Sequence, residues 1–294
     1  MRTTPSPPVD VAALLPDLAP LARTTVRLHP RPGDPAAGES SLGGPLLWPA
    51  GEPWPMCDGP KGYDHFDEPA EAEVPLAPVL QILAEDVPEL PFPDDADVLQ
   101  VLWCPFDHEP FSSPRPQVRW RRRSEIGEVL AVTPAPDEEA QERHLPDPCV
   151  LHPERVVEYP SWDLPDELWD EIARMDEATG ESYENDLSVA SGTKIGGYPG
   201  WTQNPHWPVC ECGSRMEHLL TVASWEFSRG DEKRWIPVED RPAMAGWTWD
   251  AADDHPSKPI QNPAGLMLGD VGGIYLFMCV TCPQRTVDYR FDCS

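Results

Sequence analysis

The sequence predicts an α+β fold, rich in strands and poor in helices, formed by internal duplication of two similar multi-stranded antiparallel units. Three observations predict it. Residues 43–57 (GGPLLWPAGEPWPMC) recur as residues 196–210 (GGYPGWTQNPHWPVC), and Gly43, Gly44, Trp48, Trp54, Pro55 and Cys57 each return 153 positions later as Gly196, Gly197, Trp201, Trp207, Pro208 and Cys210. Self-similarity at one fixed offset is the mark of a repeated unit. The apolar runs that follow each block are short and carry β-branched and aromatic residues, which favours strands. Proline, 39 of 294 residues, is far above the usual ~5% and interrupts long helices.

Residues 1–23 read as an N-terminal extension with a short helix near 9–15, ended by Pro16. The first copy spans 24–133. Its opening run TVRLHP (25–30) is a strand stopped by proline, since proline has no N–H to give a ladder. After the repeated block come VLQILA (79–84), LQVLWC (99–104) and QVRWRRR (117–123). Arg119, Arg121 and Arg123 alternate on the last run, as charged residues that protect an exposed sheet edge do. Segment 134–154 is polar and proline-bearing and reads as a linker.

The second copy, 155–294, repeats the order: VVEYP (156–160), the block, LLTVAS (219–224), IYLFMC (274–279) and TVDYRFD (286–292). It also holds an inserted acidic helix at about 163–178. Leu164, Leu168, Ile172 and Met175 fall on one helical face. Ser161 or Asp163 can cap it, Pro165 suits the first turn and Gly180 ends it. Residues 161–190 contain ten acids and one base, a solvated face or an acidic docking surface.

A chain of 294 residues can bury a sizeable core, and 40% hydrophobic against 25% charged residues is a globular balance. The net charge of −29, from 51 acids and 22 bases, argues against nucleic acid or an anionic membrane as partner, because phosphate recognition needs clustered Lys and Arg. It favours solubility, or a basic protein partner drawn in over distance. There is no signal-peptide pattern and no apolar stretch of the ~20 residues a membrane span needs. The chain therefore reads as cytoplasmic, with its eight cysteines as thiols or metal ligands rather than disulfides.

Four cysteines carry the chemistry. Cys210-Glu-Cys212-Gly213 and Cys279-Val-Thr-Cys282-Pro283 offer four thiolates, the donor set of a closed structural Zn²⁺ site. Three cysteines with His206 or His218, or reduced thiols without metal, are the alternatives. The first copy keeps Cys57 and Cys104 in the places of Cys210 and Cys279 and lacks the second member of each pair. Asp107 or His108 can join a metal there; otherwise the two are buried thiols. Cys149 and Cys293 have no matching partners.

Trp48, Trp54, Trp201 and Trp207 read as cover for the sheets and, because tryptophan is a frequent interface anchor, as candidate partner-binding residues. No HExxH, GxSxG or Walker motif occurs. Gly269 to Gly273 reads as a tight turn before a strand, and Lys194 as a lone structural cation.

Thr193-Lys194-Ile195-Gly196-Gly197, Trp201, Cys212-Gly213 with Met216 and Leu219-Leu220, then Gly269-Asp270 and Ile274-Tyr275-Leu276-Phe277 with Cys279 and Cys282 resemble the bacterial YwqG-like family of unknown function. The same pattern is similar to the eukaryotic programmed-cell-death-two (TYPP) proteins. The resemblance covers most of 24–294 and is closer in the second copy. Cys210-x-Cys212 is one residue shorter than the family's usual Cys-x-x-Cys, and the first copy lacks two of the four ligands. The resemblance implies a duplicated β-rich fold with no known enzymatic activity. It also implies a role like that of its eukaryotic relatives, implicated as dedicated chaperones of a basic ribosomal protein, or an immunity-type role, since YwqG-like proteins occur near bacterial toxin systems.

The expected function is a non-catalytic, zinc-stabilised protein-binding module, a chaperone or immunity-type protein that sequesters a basic partner. Two alternatives stand beside it. One is an enzyme with a site in the cleft between the copies, drawing on His65, His108, His206 or His218. The other is a small-ligand or peptide sensor.

Overall fold

Short strands between proline stops set the architecture. The computed structural model describes residues 1–57, 74–162, 164–248 and 257–293; His65 and Asp163 lie outside them. Along the chain run β1 (Arg23–Arg27), β2 (Arg31–Pro32), β3 (Ser41–Leu42), β4 (Met56–Cys57), β5 (Val74–Pro75), β6 (Ala77–Leu83), β7 (Val98–His108) and β8 (Ser113–Arg121). Then come β9 (Cys149–Val150), β10 (Glu154–Glu158), β11 (Lys194–Gly196), β12 (Glu217–Ala223), β13 (Gly273–Met278) and β14 (Val287–Asp292). A one-turn helix α1 (Val11–Leu14) precedes the first strand, and α2 (Asp166–Thr179) lies between β10 and β11.

Two six-stranded antiparallel sheets form, in the orders β10-β1-β11-β12-β13-β14 and β2-β9-β3-β6-β7-β8. The last four strands of each follow one another in the same sequence. β3 and β11 begin 153 positions apart, the offset of the repeated block. The segment read as a linker contributes β9, which pairs with β3 through Leu42 and Cys149 in the second sheet.

The two sheets are tied by a ribbon that crosses from one to the other. Arg23 pairs with Glu158 and Arg27 with Glu154 in the first sheet, while Arg31 pairs with Val150 and Pro32 with Cys149 in the second. All four pairs keep one antiparallel register, so 23–32 and 149–158 form a continuous two-stranded ribbon. The ribbon lays one strand against each sheet's next member: β1 lies on β11, and β9, from the segment read as a linker, lies on β3.

Alternation along the central strands explains their unbroken apolar runs. On β7, Leu99, Val101 and Trp103 face a core shared with Ile274, Leu276 and Met278 of β13. The opposite side of β7 turns Leu102, Cys104 and Phe106 toward Trp48, and the opposite side of β13 turns Tyr275, Phe277 and Cys279 toward Trp201. Strands buried on both faces read as continuous hydrophobic runs. The two units thus share one core between their sheets, and each carries a second, smaller cluster on its outer face.

Helix α2 buries Leu168, Ile172 and Met175 against α1 and Tyr183. No side chain caps it; Pro165 sits at the N-cap and Gly180, at φ 71°, ends it. β8 is an edge strand, as its arginines suggested. Arg121 does more than guard that edge: it holds Glu52 at 2.7 and 2.8 Å and lies over the Trp48 ring at 4.2 Å.

Lys194 is not a lone cation. Its Nζ lies 3.0 and 2.8 Å from the two carboxylate oxygens of Glu158. Glu158 also accepts the N–H of Ala190 at 2.8 Å and of Tyr198 at 2.5 Å. Burial pushes the Glu158 carboxyl above its ordinary range while Lys194 and the two amides pull against it. Gly197 makes this approach possible: at φ 68°, any Cβ there would meet the Glu158 carboxylate at 1.9 Å. The pair joins β10 to β11 across β1, which lies between them. Among the described residues, no helix is long and apolar enough to cross a membrane.

Candidate metal centre

Two hairpins bring the four cysteines together. The first is closed by a bridge between Val209 and Arg215. Inside it, Cys210 N–H donates to Ser214 O at 2.9 Å and Gly213 N–H to Cys210 O at 2.8 Å. Gly213 sits at φ 86°, a conformation that glycine adopts without steric cost, so Cys212 can turn back toward Cys210. The second hairpin joins β13 to β14. Cys279 N–H donates to Thr286 O at 2.9 Å, and Arg285 N–H to Cys282 O at 3.0 Å. Cys282 N–H points at the Cys279 sulfur from 3.4 Å.

The sulfurs of Cys210 and Cys282 are 3.6 Å apart and those of Cys212 and Cys279 3.7 Å. All four lie within 4.8 Å of one another and can hold one metal ion. None is in a disulfide. Cys210 and Cys279 are buried, Cys282 is half-buried and Cys212 is exposed. Hydrogen bonds from the Ser214 hydroxyl and amide bring the Cys212 thiol down to about 6, and the amides of Cys282 and Thr281 lower Cys279. Cys212 and Cys279 are thus drawn toward thiolate, the form that binds metal, while the neighbouring thiols of Cys212, Cys210 and Cys279 push Cys282 up. Ser214 carries no spacing signal and could not be assigned this role from sequence.

The alternative histidine ligands are elsewhere. His206 is exposed and offers its backbone carbonyl to Arg290 at 3.0 Å. His218 is engaged at both ring nitrogens, with Nδ1 on Gly196 O and Nε2 on Thr221 Oγ1, each at 2.9 Å. Burial, reinforced by Lys194, brings His218 down to about 3. His29, buried beside Arg27 with Nε2 2.9 Å from Glu154, is brought down to about 4, again chiefly by burial.

Both imidazoles are neutral in the fold and must take up a proton on unfolding at acid pH. Their folded pKa is below the ordinary 6.5, so their contribution is whole above that value and is lost as pH falls toward 4 and then 3. The slope is at most about 1.4 kcal/mol per pH unit for each histidine. Denaturant unfolding at pH 7 and pH 5 should show the wild type losing more stability than His218→Gln, which offers Gly196 O a donor and Thr221 Oγ1 an acceptor without a titrating group. Equal losses in the two proteins would refute the account.

The four tryptophans lie in two separate pairs. Trp201 is buried, stacked on Phe277 at 5.8 Å and edge-on to Trp207 at 5.9 Å, over Cys210 and Cys279. Trp48 is buried beside Trp54 at 5.0 Å, over Cys57 and Cys104. Each pair covers the outer face of its own sheet, with the shared core between them. Trp54 and Trp207 are half-buried, so only their edges remain for a partner. The repeated block is thus a lid of two tryptophans over cysteine.

In the first unit, Cys57, Cys104 and His108 form a second cluster, all buried and with ligand atoms within 4.8 Å of one another. Asp107 turns the other way, toward Gln141 at 3.0 Å and the charged end of Arg143.

A polar cleft of about 220 Å³ includes Ser191, Lys194, Thr221, Tyr275, Trp162 and Trp225 in its lining. Every lining residue belongs to 155–294, so this cleft is not between the units. His29 and Glu154 are within hydrogen-bond reach, but Thr4 fills their surroundings, its hydroxyl 2.5 Å from Glu154 and 2.8 Å from Arg27. No protein-family model matches the chain, and no curated protein matches it by sequence.

Proposed function

We propose that this chain is a non-catalytic protein-binding module, stabilised by a structural Zn²⁺ at Cys210, Cys212, Cys279 and Cys282, that sequesters a basic partner. Zinc–thiolate bonds of about 2.3 Å in a tetrahedron separate the sulfurs by about 3.8 Å. The separations of 3.6 and 3.7 Å suit that geometry. Four thiolates leave no coordination position for a reacting water, which favours a structural over a catalytic role. The matching order of four strands in each sheet supports the duplication reading, and the motif resemblance to YwqG-like and programmed-cell-death-two proteins points to the same class of role.

The observation that carries partner binding is the outer face of α2. Asp166, Glu167, Asp170 and Glu177 are exposed there, with Trp169 standing 38% exposed among them. An aromatic anchor in an acidic field suits a Lys- and Arg-rich surface, and the net charge of −29 speeds its approach.

The test is affinity purification from the native cell extract with the wild type and with Asp166→Lys/Asp170→Lys/Glu177→Lys. One basic protein should be retained by the wild type, released at high salt and not retained by the variant, since contacts between exposed charges are screened by salt. Retention that neither salt nor the triple variant disturbs would reject α2 as the binding face.

A further inference from the structure

The three-residue cluster in the first unit has the chemistry of a metal site in its own right. Cys57 ends the short strand β4 and Cys104 lies on β7, the strand placed as β13 is in the other sheet. His108 follows Cys104 by four residues on β7, beyond an irregularity in the β7–β8 ladder. The Cys57 sulfur is 3.6 Å from His108 Nε2. The Arg115 guanidinium is 3.8 Å from the same sulfur, where a positive charge favours thiolate over thiol.

The three residues are 3, 1 and 4% exposed in chain order. Two sulfurs and one imidazole, converging in a dry pocket under Trp48 and Trp54, suit a divalent ion that prefers sulfur and nitrogen. The tetracysteine cluster stands in the same place on the other sheet, under Trp201 and Trp207.

We infer that Cys57, Cys104 and His108 form a second metal site, of the zinc class, on the outer face of the second sheet. His108 takes up the role that a second cysteine plays in the other unit. With three ligands among the described residues, this ion exchanges more readily than the one held by four thiolates. It is the first to leave under a chelator.

Metal analysis of tag-free, reduced protein tests this independently of the tetracysteine site. Wild type should carry two zinc ions per chain, and His108→Ala and Cys104→Ser one each. Cys279→Ser should also carry one, retained on Cys57, Cys104 and His108. One ion in the wild type, unaffected by His108→Ala and lost in Cys279→Ser, would overturn the second site and leave the proposed function standing. One ion lost in His108→Ala and kept in Cys279→Ser would do the reverse. Should the variants fail to fold, Co²⁺ titrated into metal-free wild type decides. Two equivalents with distinct absorption spectra support the second site, and a single equivalent with the spectrum of four thiolates overturns it.

Discussion

Cys279→Ser should lower the melting temperature of the metal-loaded protein by roughly 10 °C. Serine is nearly isosteric, so the loss comes from the metal and not from a cavity. Cys279 is at the junction of β13 and the turn to β14, and its ligand partners Cys210 and Cys212 lie in a hairpin that no strand of either sheet includes. A metal on the four sulfurs would tie that hairpin to the sheet beside the packing of Trp207 on Phe277. Losing a structural metal belongs to the small class of changes costing more than about 4 kcal/mol. For a chain of this size, each kcal/mol moves the midpoint by roughly 2–4 °C. A chelator should bring the two proteins to a common transition, with the larger fall in the wild type. Cys293→Ser, outside the cluster, is the control. An unchanged midpoint for Cys279→Ser in reduced, metal-loaded protein would remove the structural role.

Lys194→Met should cost about 3–5 kcal/mol, the range for stranding one member of a buried ion pair. The side chains of Lys194 and Glu158 are 1 and 0% exposed, so water cannot replace the missing charge. Methionine keeps the length of the side chain, which confines the effect to electrostatics. Adding Glu158→Gln should restore a large part of the loss. The amide oxygen can still accept one of the two N–H groups, which donate to different oxygens of Glu158, Ala190 to Oε2 and Tyr198 to Oε1, and no unpaired charge remains. The double-mutant cycle gives the coupling directly. Urea denaturation of the four proteins measures it; a single variant as stable as wild type, or a double variant no better than the single, would contradict this reading.

The parts of the fold that were legible in the chain are those set by local pattern. The runs at 79–84, 99–104, 219–224 and 274–279 are strands because they are short, β-branched and bounded by turn residues, and β6, β7, β12 and β13 occupy those places. The acidic helix was legible from four apolar residues on one face, three of which are buried on α2 itself. The cysteine cluster was legible because ligand pairs two and three residues apart signal metal whatever lies between them.

What was hidden depends on pairings far apart in the chain. β9 is two residues set among prolines, too short for any periodicity, and only its place between β2 and β3 makes it a strand. Glu158 and Lys194 are 36 positions apart, and nothing near either predicts the other. His108 was one of two choices beside Cys104. The strand turns it inward and Asp107 outward, a matter of pleat and register rather than composition. The tryptophans were visible as a repeated motif, but whether they faced a partner or the cysteines could not be read from spacing.

The ribbon of 23–32 with 149–158 bears on how such a chain came to exist. On the duplication reading, an ancestor with a single unit had no second opening strand of its own to complete its sheet. It could close that sheet only by trading strands with another molecule, as an intertwined homodimer whose folding depended on protein concentration. Joining two such genes would make the exchange internal and free it from dilution. It would also release the two halves from identity, so that one lid can hold four cysteines and the other two and a histidine.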